Sequence, residues 1–399
     1  MKAKHLGIAS LLLGASALAT PAVADVEIGL LAGITGGAAA MAPEITRSYQ
    51  FALKDVNDQG GILNGEKLVG IDADDGCSPQ VAVDAVTKVV NVSHVVGIIG
   101  PWCSGALLAA ANSVAIPAGV LVISPASTSP AVTTIKDNDL VFRTIPSDEY
   151  QGQALARTLL DRGTKKVAVS FINNDYGKGI AEAFKKEYEA KGGEIAGYAA
   201  HEENKSSYRS DLAELAGGGA DTLVLLDYGD TSGLTVLREA IENGFFKNFV
   251  GGEGMKTSAP IKGIGAENLS TFMASAPVST KSPSLDIFNK AFAAAGGDIN
   301  GSYVGPSYDA VFLMALAVEK AGGDKAKLSE SLRAVSNGEG EPILPGEWKK
   351  AKELIAAGKA IDYKGASGNL DFDANGDVPG SYALFKVAGD DYEVVTEMK

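Results

Sequence analysis

Short apolar runs alternate along the chain with longer stretches in which apolar residues recur every three or four positions. The short runs are rich in β-branched residues and predict strands at 26–31, 68–73, 95–99, 120–123, 167–171, 222–226 and 271–274. The longer stretches predict helices at 43–59, 80–92, 104–116, 150–162, 177–190, 231–243, 303–320 and 325–335. Strands and helices in alternation indicate βαβ units, so we expect an α/β fold with doubly wound parallel sheets.

The alternating pattern falls into two series of similar length, which meet near residues 143–147. A chain of 399 residues is long enough for two to three domains, so we predict two lobes joined by a hinge. The stretch after residue 271 is too short for a further doubly wound domain and should complete the earlier lobes; it includes late β segments at 369–372 and 382–387. The predicted N-terminal lobe is 25–145 plus about 277–360, and the predicted C-terminal lobe is 146–276 plus about 361–399.

The first residues are typical of a secretory signal peptide. Lys2 and Lys4 precede an apolar segment, residues 6–19, and Ala22-Val23-Ala24 supplies small residues for a cleavage site. The apolar segment is shorter than the roughly 20 residues that a membrane-spanning helix needs, which disfavours an anchor. We therefore predict that residues 1–24 are a signal peptide, that cleavage follows Ala24, and that the mature protein is exported and soluble.

Charge excludes some classes of partner. The chain has 35 Lys and Arg against 49 Asp and Glu, a formal net charge of −14. Nucleic acids and anionic membranes are bound by basic surfaces, so we expect neither as a partner.

Two cysteines, Cys77 and Cys103, occur in the chain. Export to an oxidising compartment favours a disulfide between them over two independent thiols. With only His94 and His201 as further nitrogen ligands after cleavage, the sequence suggests no metal site, and we expect no cofactor.

Sequence motifs of common enzymes are missing: no G-x-S-x-G, H-E-x-x-H, Walker A or G-x-G-x-x-G motif occurs. His94 and His201 are interpreted as structural or surface residues, which disfavours a hydrolase. Residues 371–377 resemble the start of a calcium loop, but the twelfth position is Tyr382 instead of Glu, so a polar turn is the better interpretation.

Polar residues follow several predicted strands, where open α/β sheets place their ligand crevices. Residues 100–105 open a helix, and Ser104 with nearby backbone N–H groups would accept a carboxylate. A helix-capping role for Ser104 remains an equal alternative. Residues 124–128 expose hydroxyls and amides, which ordinary turn chemistry explains equally well.

In the second series, polar and aromatic residues follow strands at 173–177 and 226–230. Glu253 stands among glycines at 251–254, where small neighbours let a ligand approach. Each segment alone could be an ordinary loop. Together with the first series, they predict an anion site on one lobe and an acidic, aromatic site on the other.

These segments resemble the periplasmic substrate-binding proteins of ABC importers, specifically the leucine/isoleucine/valine-binding family with its type I periplasmic binding fold. The likeness covers nearly the whole mature chain. It is carried by residues 55–62, Cys77, Cys103-Ser104, 123–128, 174–177, 252–254, 308–310 and 372–377.

The resemblance implies roles for individual residues. Ser104, Ala126 and Thr128 would hold a ligand α-carboxylate, Glu253 would pair with an α-ammonium, and Tyr176 would pack from the second lobe. Cys77 and Cys103 match the disulfide of the family.

Three positions bear on the specificity of the site. Relatives often have an aromatic residue where this chain has the small stretch 36–41. Tyr228 matches a second-lobe aromatic only with one residue of slippage. Trp102 would either narrow the pocket or, the favoured alternative, pack beneath the disulfide.

The resemblance implies capture of a small amphipathic ligand, an aliphatic or branched-chain amino acid, in the periplasm. The partner would be an ABC permease of the inner membrane, and the protein would act as a monomer and not as an enzyme. The alternatives are a binder of an amide, urea or aromatic acid, a periplasmic hydrolase and an interaction-only scaffold.

Overall fold

The strands of the molecule form two large sheets and one small sheet. The computed structural model describes residues 25–399, and the predicted signal peptide lies outside the described residues. The strands are β1 (Val26–Ala32), β2 (Leu68–Asp74), β3 (Gly97–Ile99), β4 (Leu121–Ser124), β5 (Val141–Arg143), β6 (Lys166–Ile172), β7 (Glu194–His201), β8 (Thr222–Leu226), β9 (Asn248–Gly251), β10 (Phe272–Val278), β11 (Glu341–Ile343), β12 (Ile361–Tyr363), β13 (Ser381–Ala388) and β14 (Asp391–Met398).

Helices connect most of the strands. They are α1 (Ala42–Asp58), α2 (Pro79–Asn91), α3 (Ser104–Ala110), α4 (Pro130–Thr133), α5 (Asp148–Asp161), α6 (Asp175–Ala190), α7 (Arg209–Ala216), α8 (Ser232–Glu242), α9 (Ser258–Ile264), α10 (Pro283–Ala294), α11 (Val304–Ala321), α12 (Leu328–Ser336) and α13 (Trp348–Ala356). Within residues 25–399, none of them combines the length and apolar character that crossing a bilayer requires.

The first sheet has the strand order β2-β1-β3-β4-β5, and every neighbouring pair is parallel. Its strands carry apolar residues on both faces because helices cover both sides. Ile28, Ile98 and Ile123, one from each of three strands, are fully buried. This sheet confirms the α/β prediction for the first lobe.

The second sheet has the order β14-β13-β10-β9-β8-β6-β7. The five strands β10, β9, β8, β6 and β7 run parallel to one another. Strand β13 pairs antiparallel with β10 on one side and with β14 on the other. The predicted parallel arrangement is therefore confirmed for five of the seven strands, and the edge formed by β13 and β14 is antiparallel. Only a two-residue turn, residues 389–390, joins β13 to β14, and so short a connection permits only antiparallel pairing.

The two sheets form two lobes, and the chain crosses between the lobes three times. The first crossing is Thr144–Pro146, the second follows β10, and the third precedes β13. The exact division into lobes stays a prediction. One observation bears on it: β12 pairs with β11, and Tyr363 stacks on Phe312 of α11 with 5.1 Å between ring centroids. These contacts favour a third crossing later than residue 361.

Most predicted elements are present within one to three residues of their expected bounds. The helix predicted at 104–116 is α3 continued by a π-helical turn, Ala111–Ala115. The β segment predicted at 369–372 is wrong, since these residues form an irregular loop. Asn337 fixes this loop, because its Nδ2 donates to the carbonyl of Phe372 over 2.6 Å and its Oδ1 accepts from the amide of Phe372 over 3.0 Å.

Candidate functional site

A narrow cavity lies between the two lobes, at the carboxyl ends of parallel strands of both sheets. Its lining contains every predicted ligand-binding residue. The lining residues are Ala38, Met41, Ile45, Trp102, Cys103, Ser104, Ala126, Thr128, Tyr176, Tyr228, Glu253, Gly254 and Tyr303. Its free volume is about 20 Å³, so the lobes close tightly around it. The structure therefore brings the two predicted half-sites together.

The loops after β3 and β4 present hydroxyl groups to this cavity. Cys103, and not Ser104, occupies the N-cap position of α3, so the helix-capping interpretation of Ser104 is wrong. The Oγ of Ser104 instead accepts from the amide of Ser129 over 3.1 Å. The two loops are tied together because Ser127 Oγ donates to the carbonyl of Trp102 over 2.8 Å. This bond fixes the positions of Ser104 and the 126–128 backbone.

Arg143, which the sequence analysis did not single out, holds the same loop from behind. Its buried guanidinium donates to the carbonyl of Thr128 over 2.9 Å and to that of Ser129 over 3.0 Å. It also forms an ion pair with Asp377 at 2.6 Å. A buried charge of this kind needs both a counterion and hydrogen bonds, and Arg143 has both.

Asp377 ends the segment that resembles a calcium loop. Asp373 Oδ1 accepts from the amides of Asn375 and Asp377 over 2.7 and 3.0 Å, as in an Asx turn. The interpretation of this segment as a polar turn is confirmed. Its function in the structure is to present Asp377 to Arg143.

Two stacked tyrosines close the cavity from the second lobe. The rings of Tyr176 and Tyr228 lie 5.0 Å apart between centroids and 20° from parallel. The small stretch at 36–41 faces Tyr228: a Cβ on Gly37 would lie 2.9 Å from its ring. A side chain at position 37 would therefore collide with the ring of Tyr228. This explains why the residues of the 36–41 stretch near Tyr228 have small side chains.

A chain of hydrogen bonds supports Tyr228 from the interior of the second lobe. Ser170 Oγ lies 2.8 Å from His201 Nδ1, and His201 Nε2 lies 2.7 Å from Asp227 Oδ2. Asp227 Oδ1 accepts from the amide of Tyr228 over 2.6 Å. Ser170 and His201 are buried and do not line the narrow cavity. The set has the residue types of a hydrolase triad, but its geometry serves to position Tyr228, as the structural interpretation of His201 expects.

Glu253 begins a short 3-10 turn, Glu253–Met255, directly after β9. Its side chain is buried, and Oε2 accepts from Nε2 of Gln151 over 2.7 Å. Burial raises the pKa of Glu253 to about 7, against the lowering effect of hydrogen bonds from Tyr176, Gln151 and Thr128. A carboxyl in this condition gains strongly from a cation placed beside it.

A second buried carboxyl, Asp148, adjoins this group and was not found from the sequence. Neither of its oxygens has a hydrogen-bond partner among the described residues. Burial, and then the charge of Glu253, raise the pKa of Asp148 well above its ordinary value. Asp148 and Gln151 lie one turn apart on α5, so the helix that follows the first crossing carries both of them. One feature of the sequence could have indicated these two residues: they are polar, and they lie in the first turns of a helix whose buried face is otherwise apolar.

Apolar side chains form the remaining wall of the narrow cavity. Met41 and Ile45 come from the start of α1, and Tyr303 precedes α11. Tyr303 has a positive φ of 62° at the N-cap of α11, and this conformation turns the chain at the edge of the site. None of these three residues was among the predicted ligand contacts, because their segments carry no polar motif.

Trp102 lies beside the disulfide and also lines the narrow cavity. Cys77 and Cys103 are bonded, with 5.1 Å between their Cα atoms, as predicted. Asp75 accepts from the amides of Cys77 and Trp102 over 2.8 and 3.0 Å, which fixes both loops. The indole N–H of Trp102 donates to Tyr49 over 2.8 Å. Trp102 therefore both packs beside the disulfide and lines the narrow cavity, so the two alternatives given for it hold together.

This combination of two α/β lobes and a cavity between them is the fold of type I periplasmic binding proteins. Residues 45–390 match the family described as receptor family ligand binding region. The chain is 31% identical over 312 residues to the leucine-, isoleucine-, valine-, threonine- and alanine-binding protein of Pseudomonas aeruginosa, covering 77% of this chain and 82% of that protein. The chain belongs to the leucine/isoleucine/valine-binding protein family.

Solved structures with the same fold include proteins bound to different ligands. The branched-chain amino acid transporter substrate-binding protein of Streptococcus pneumoniae, in complex with isoleucine, matches with a TM-score of 0.78 at 24% identity, over 94% of this chain and 99% of that one. A solute-binding protein of an ABC transporter from R. palustris, in complex with benzoate, matches with a TM-score of 0.75 at 20% identity, over 94% and 96%. At these identities the likeness establishes the fold and not the ligand.

Proposed function

We propose that this protein is a periplasmic solute-binding protein that captures an aliphatic amino acid, with a branched side chain as the preferred type. One observation carries the proposal: a buried carboxyl, Glu253, and the hydroxyls of Ser104 and Thr128 line the same narrow cavity. A zwitterionic amino acid has an ammonium for Glu253 and a carboxylate for the hydroxyls of Ser104 and Thr128. An amphipathic ligand with a single charge would leave one side unmatched.

The ligand α-carboxylate is placed against Ser104, Thr128 and the backbone of Ala126. These groups are held rigidly by the interloop hydrogen bonds and by Arg143, so little ordering is needed on binding. The ligand α-ammonium is placed against Glu253. Its positive charge offsets the burial that raises the pKa of this carboxyl.

The aliphatic side chain is placed against Met41, Ile45 and Tyr303. This wall has no charged side chain among the lining residues, and the stacked Tyr176 and Tyr228 cover the ligand from the second lobe. Burial of an aliphatic side chain here contributes on the order of 1.5 to 3 kcal/mol. The pattern of contacts therefore supports an aliphatic amino acid.

Binding without catalysis is the proposed activity. The lining of the narrow cavity has no histidine, lysine or free cysteine to act as base or nucleophile. The relatives named above are binding proteins by their descriptions. We further propose that residues 1–24 are removed after Ala24, and that a monomer delivers the ligand to an ABC permease of the inner membrane.

An aromatic carboxylate is the second candidate ligand. Two observations favour it: the R. palustris relative holds benzoate, and a pKa near 7 lets Glu253 stay neutral beside a ligand without an amine. Such a ligand would use Ser104 and Thr128 as the amino acid does. It would stack on the tyrosine pair.

Native mass spectrometry and calorimetry test the proposal. The mature protein, residues 25–399, is purified, unfolded to release retained ligand, refolded and titrated with leucine, isoleucine, valine, benzoate, benzamide and urea. We expect at least one branched-chain amino acid to bind with micromolar or tighter affinity, about −8 kcal/mol. Binding of benzoate alone would replace the amino-acid assignment by the aromatic acid.

A further inference from the structure

A second and larger cavity lies between the lobes, on the side of the three crossings of the chain. We call it the hinge cavity; it is bounded by residues 144–146, 276–280 and 378–381, which belong to those crossings. Its free volume is about 460 Å³, within the range of small-molecule sites, against about 20 Å³ for the narrow cavity. Tyr303 and Glu253 line both cavities and so separate them.

Lys256 supplies a positive charge to the hinge cavity. Its ammonium forms no ion pair with any residue of 25–399, and the charges of Asp391 and Asp298 act on it only from a longer distance. The Nζ atom lies 4.7 Å from the ring centroid of Phe385 and 5.6 Å from that of Tyr392. Burial lowers the pKa of Lys256, so an anion beside it would be stabilising.

Large apolar side chains also line the hinge cavity. Leu285 and Phe288 of α10 and Ile299 of the following loop line it, and Phe288 is buried in the core of the first lobe. Ile299 is 42% exposed, which leaves its surface available to an occupant. The second lobe therefore lines the cavity with the Lys256 ammonium and the Glu253 carboxyl, and the first lobe lines it with these apolar side chains.

We propose that the hinge cavity is a second binding site, which takes a small amphipathic monocarboxylate. Its carboxylate pairs with the Lys256 ammonium, and its hydrocarbon part covers Leu285, Phe288 and Ile299. This ligand touches both lobes beside the three crossings, so it stabilises their closed arrangement. The site goes beyond the proposed capture of an amino acid, because Lys256 does not line the narrow cavity.

Fluorine NMR with 6,6,6-trifluorohexanoate as the probe tests this proposal. The mature protein is titrated with the probe, alone and with leucine present in excess. We expect saturable binding in both cases and a dissociation constant at least tenfold weaker for 6,6,6-trifluorohexan-1-ol, which has no charge. Absence of saturable binding, or equal binding of the alcohol, would overturn the proposal.

Four variants locate the site. Lys256→Met removes the charge, and Ser279→Trp fills the cavity; each should weaken probe binding at least tenfold. Lys262→Met, which removes an exposed lysine of α9, is the matched control and should have no effect. Ser104→Ala alters only the narrow cavity and should leave probe binding unchanged.

Two outcomes contradict the assignment. If Lys256→Met binds the probe as tightly as wild type, the Lys256 ammonium does not contribute to probe binding. Loss of probe binding in Ser104→Ala, or displacement by leucine, shows that the probe occupies the narrow cavity. Failure of leucine itself to bind would overturn the amino-acid function, yet the comparison of Lys256→Met with Lys262→Met would remain decisive for the hinge cavity.

Discussion

Gln151 donates from Nε2 to Oε2 of Glu253 over 2.7 Å. This bond joins α5, which follows the first crossing, to the turn after β9. Together with the hydrogen bonds from Tyr176 and Thr128, it orients the Glu253 carboxyl in the lining of the narrow cavity. The Nε2 of Gln151 also donates to Ser275 Oγ over 3.1 Å, so the amide itself is fixed from the β10 side.

Glu253→Gln should weaken the binding of leucine strongly. The ligand ammonium would lose its counterion in a buried site, which costs about 2 to 5 kcal/mol. Ser104→Ala should cost less, about 1 to 2 kcal/mol, because one hydroxyl is lost while the backbone donors remain. Calorimetry on both variants measures the two losses. Glu253→Gln that binds leucine as tightly as wild type would contradict the role of Glu253 and leave the aromatic acid as the candidate.

The affinity for leucine should fall as the pH falls below 7. The pKa of Glu253 is raised to about 7 by burial, so below that pH the ligand-free site holds a proton that must leave before an ammonium can pair with the carboxylate. The dissociation constant should then rise by up to about tenfold per pH unit between pH 7 and 5.5. Calorimetry at a series of pH values measures this slope.

Proton release gives an independent check on the same group. Calorimetry in buffers of different ionisation enthalpy should show about one proton released per ligand at pH 6 and fewer at pH 8. Glu253→Gln is the control, since it cannot release the proton. A flat pH profile in wild type would mean that Glu253 is already ionised without ligand.

Asp148→Asn should stabilise the ligand-free protein at pH 8. Burial raises the pKa of Asp148 in the folded state, so the folded protein retains a proton that the unfolded chain loses above about pH 4. This group therefore reduces stability as the pH rises from about 4 towards its raised folded pKa. We expect a gain of about 1 to 3 kcal/mol from urea unfolding at pH 8 and a smaller difference at pH 4. Equal effects at the two pH values would rule out the titration of Asp148 as the cause.

The two half-sites could be predicted from the sequence for different reasons. Ser104 lies in the segment that follows the predicted strand 95–99, and parallel strands bring such segments to one edge of a sheet. Glu253 stands among glycines, although the strand before it, β9, was not predicted. Asp148 and Gln151 could not be found in this way, since they lie on a helix whose burial depends on how the two lobes meet. Arg143 was missed for a related reason: β5 has three residues, too few for a recognisable pattern, and its partner Asp377 is far away in sequence.

The edge of the second sheet shows a different limit. In β13 residues 382–385 are all buried, whereas β14 is largely exposed, and neither pattern reveals which strand is the neighbour. The pairing of β13 with β10 brings together residues more than a hundred positions apart. This pairing is therefore visible only in the contacts of the folded structure.

Cys77 and Cys103 should be oxidised in the protein purified without reductant. Thiol labelling of unreduced, denatured protein should find no reactive cysteine, and labelling after reduction should find both. The bond joins residues 26 positions apart, and chain entropy gives about 3 kcal/mol of stabilisation for a loop of this length. Cys77→Ala with Cys103→Ala should lower the free energy of unfolding by about that amount. Two reactive thiols in the unreduced protein would contradict the prediction.

Closure of the lobes should accompany ligand binding. The lobes already touch beyond the cavity: Ser129 Oγ donates to the carbonyl of Asp175 over 2.9 Å, and the amide of Ala40 donates to Asp230 over 3.1 Å. A ligand that contacts both sides of the narrow cavity favours the arrangement in which these contacts form. Small-angle scattering should therefore give a smaller radius of gyration with leucine than without it.

Gly179→Leu should prevent this closure without touching the ligand. Gly179 lies on α6 in the second lobe, and a Cβ there would come 2.7 Å from Pro130 of the first lobe. A leucine side chain at this position holds the lobes apart, so leucine binding should weaken at least tenfold, about 1.4 kcal/mol, and the scattering change should disappear. Lys178→Leu, an exposed neighbour, is the matched control and should behave as wild type. If Gly179→Leu binds and compacts normally, the ligand contacts of a single lobe suffice, and closure is not part of binding.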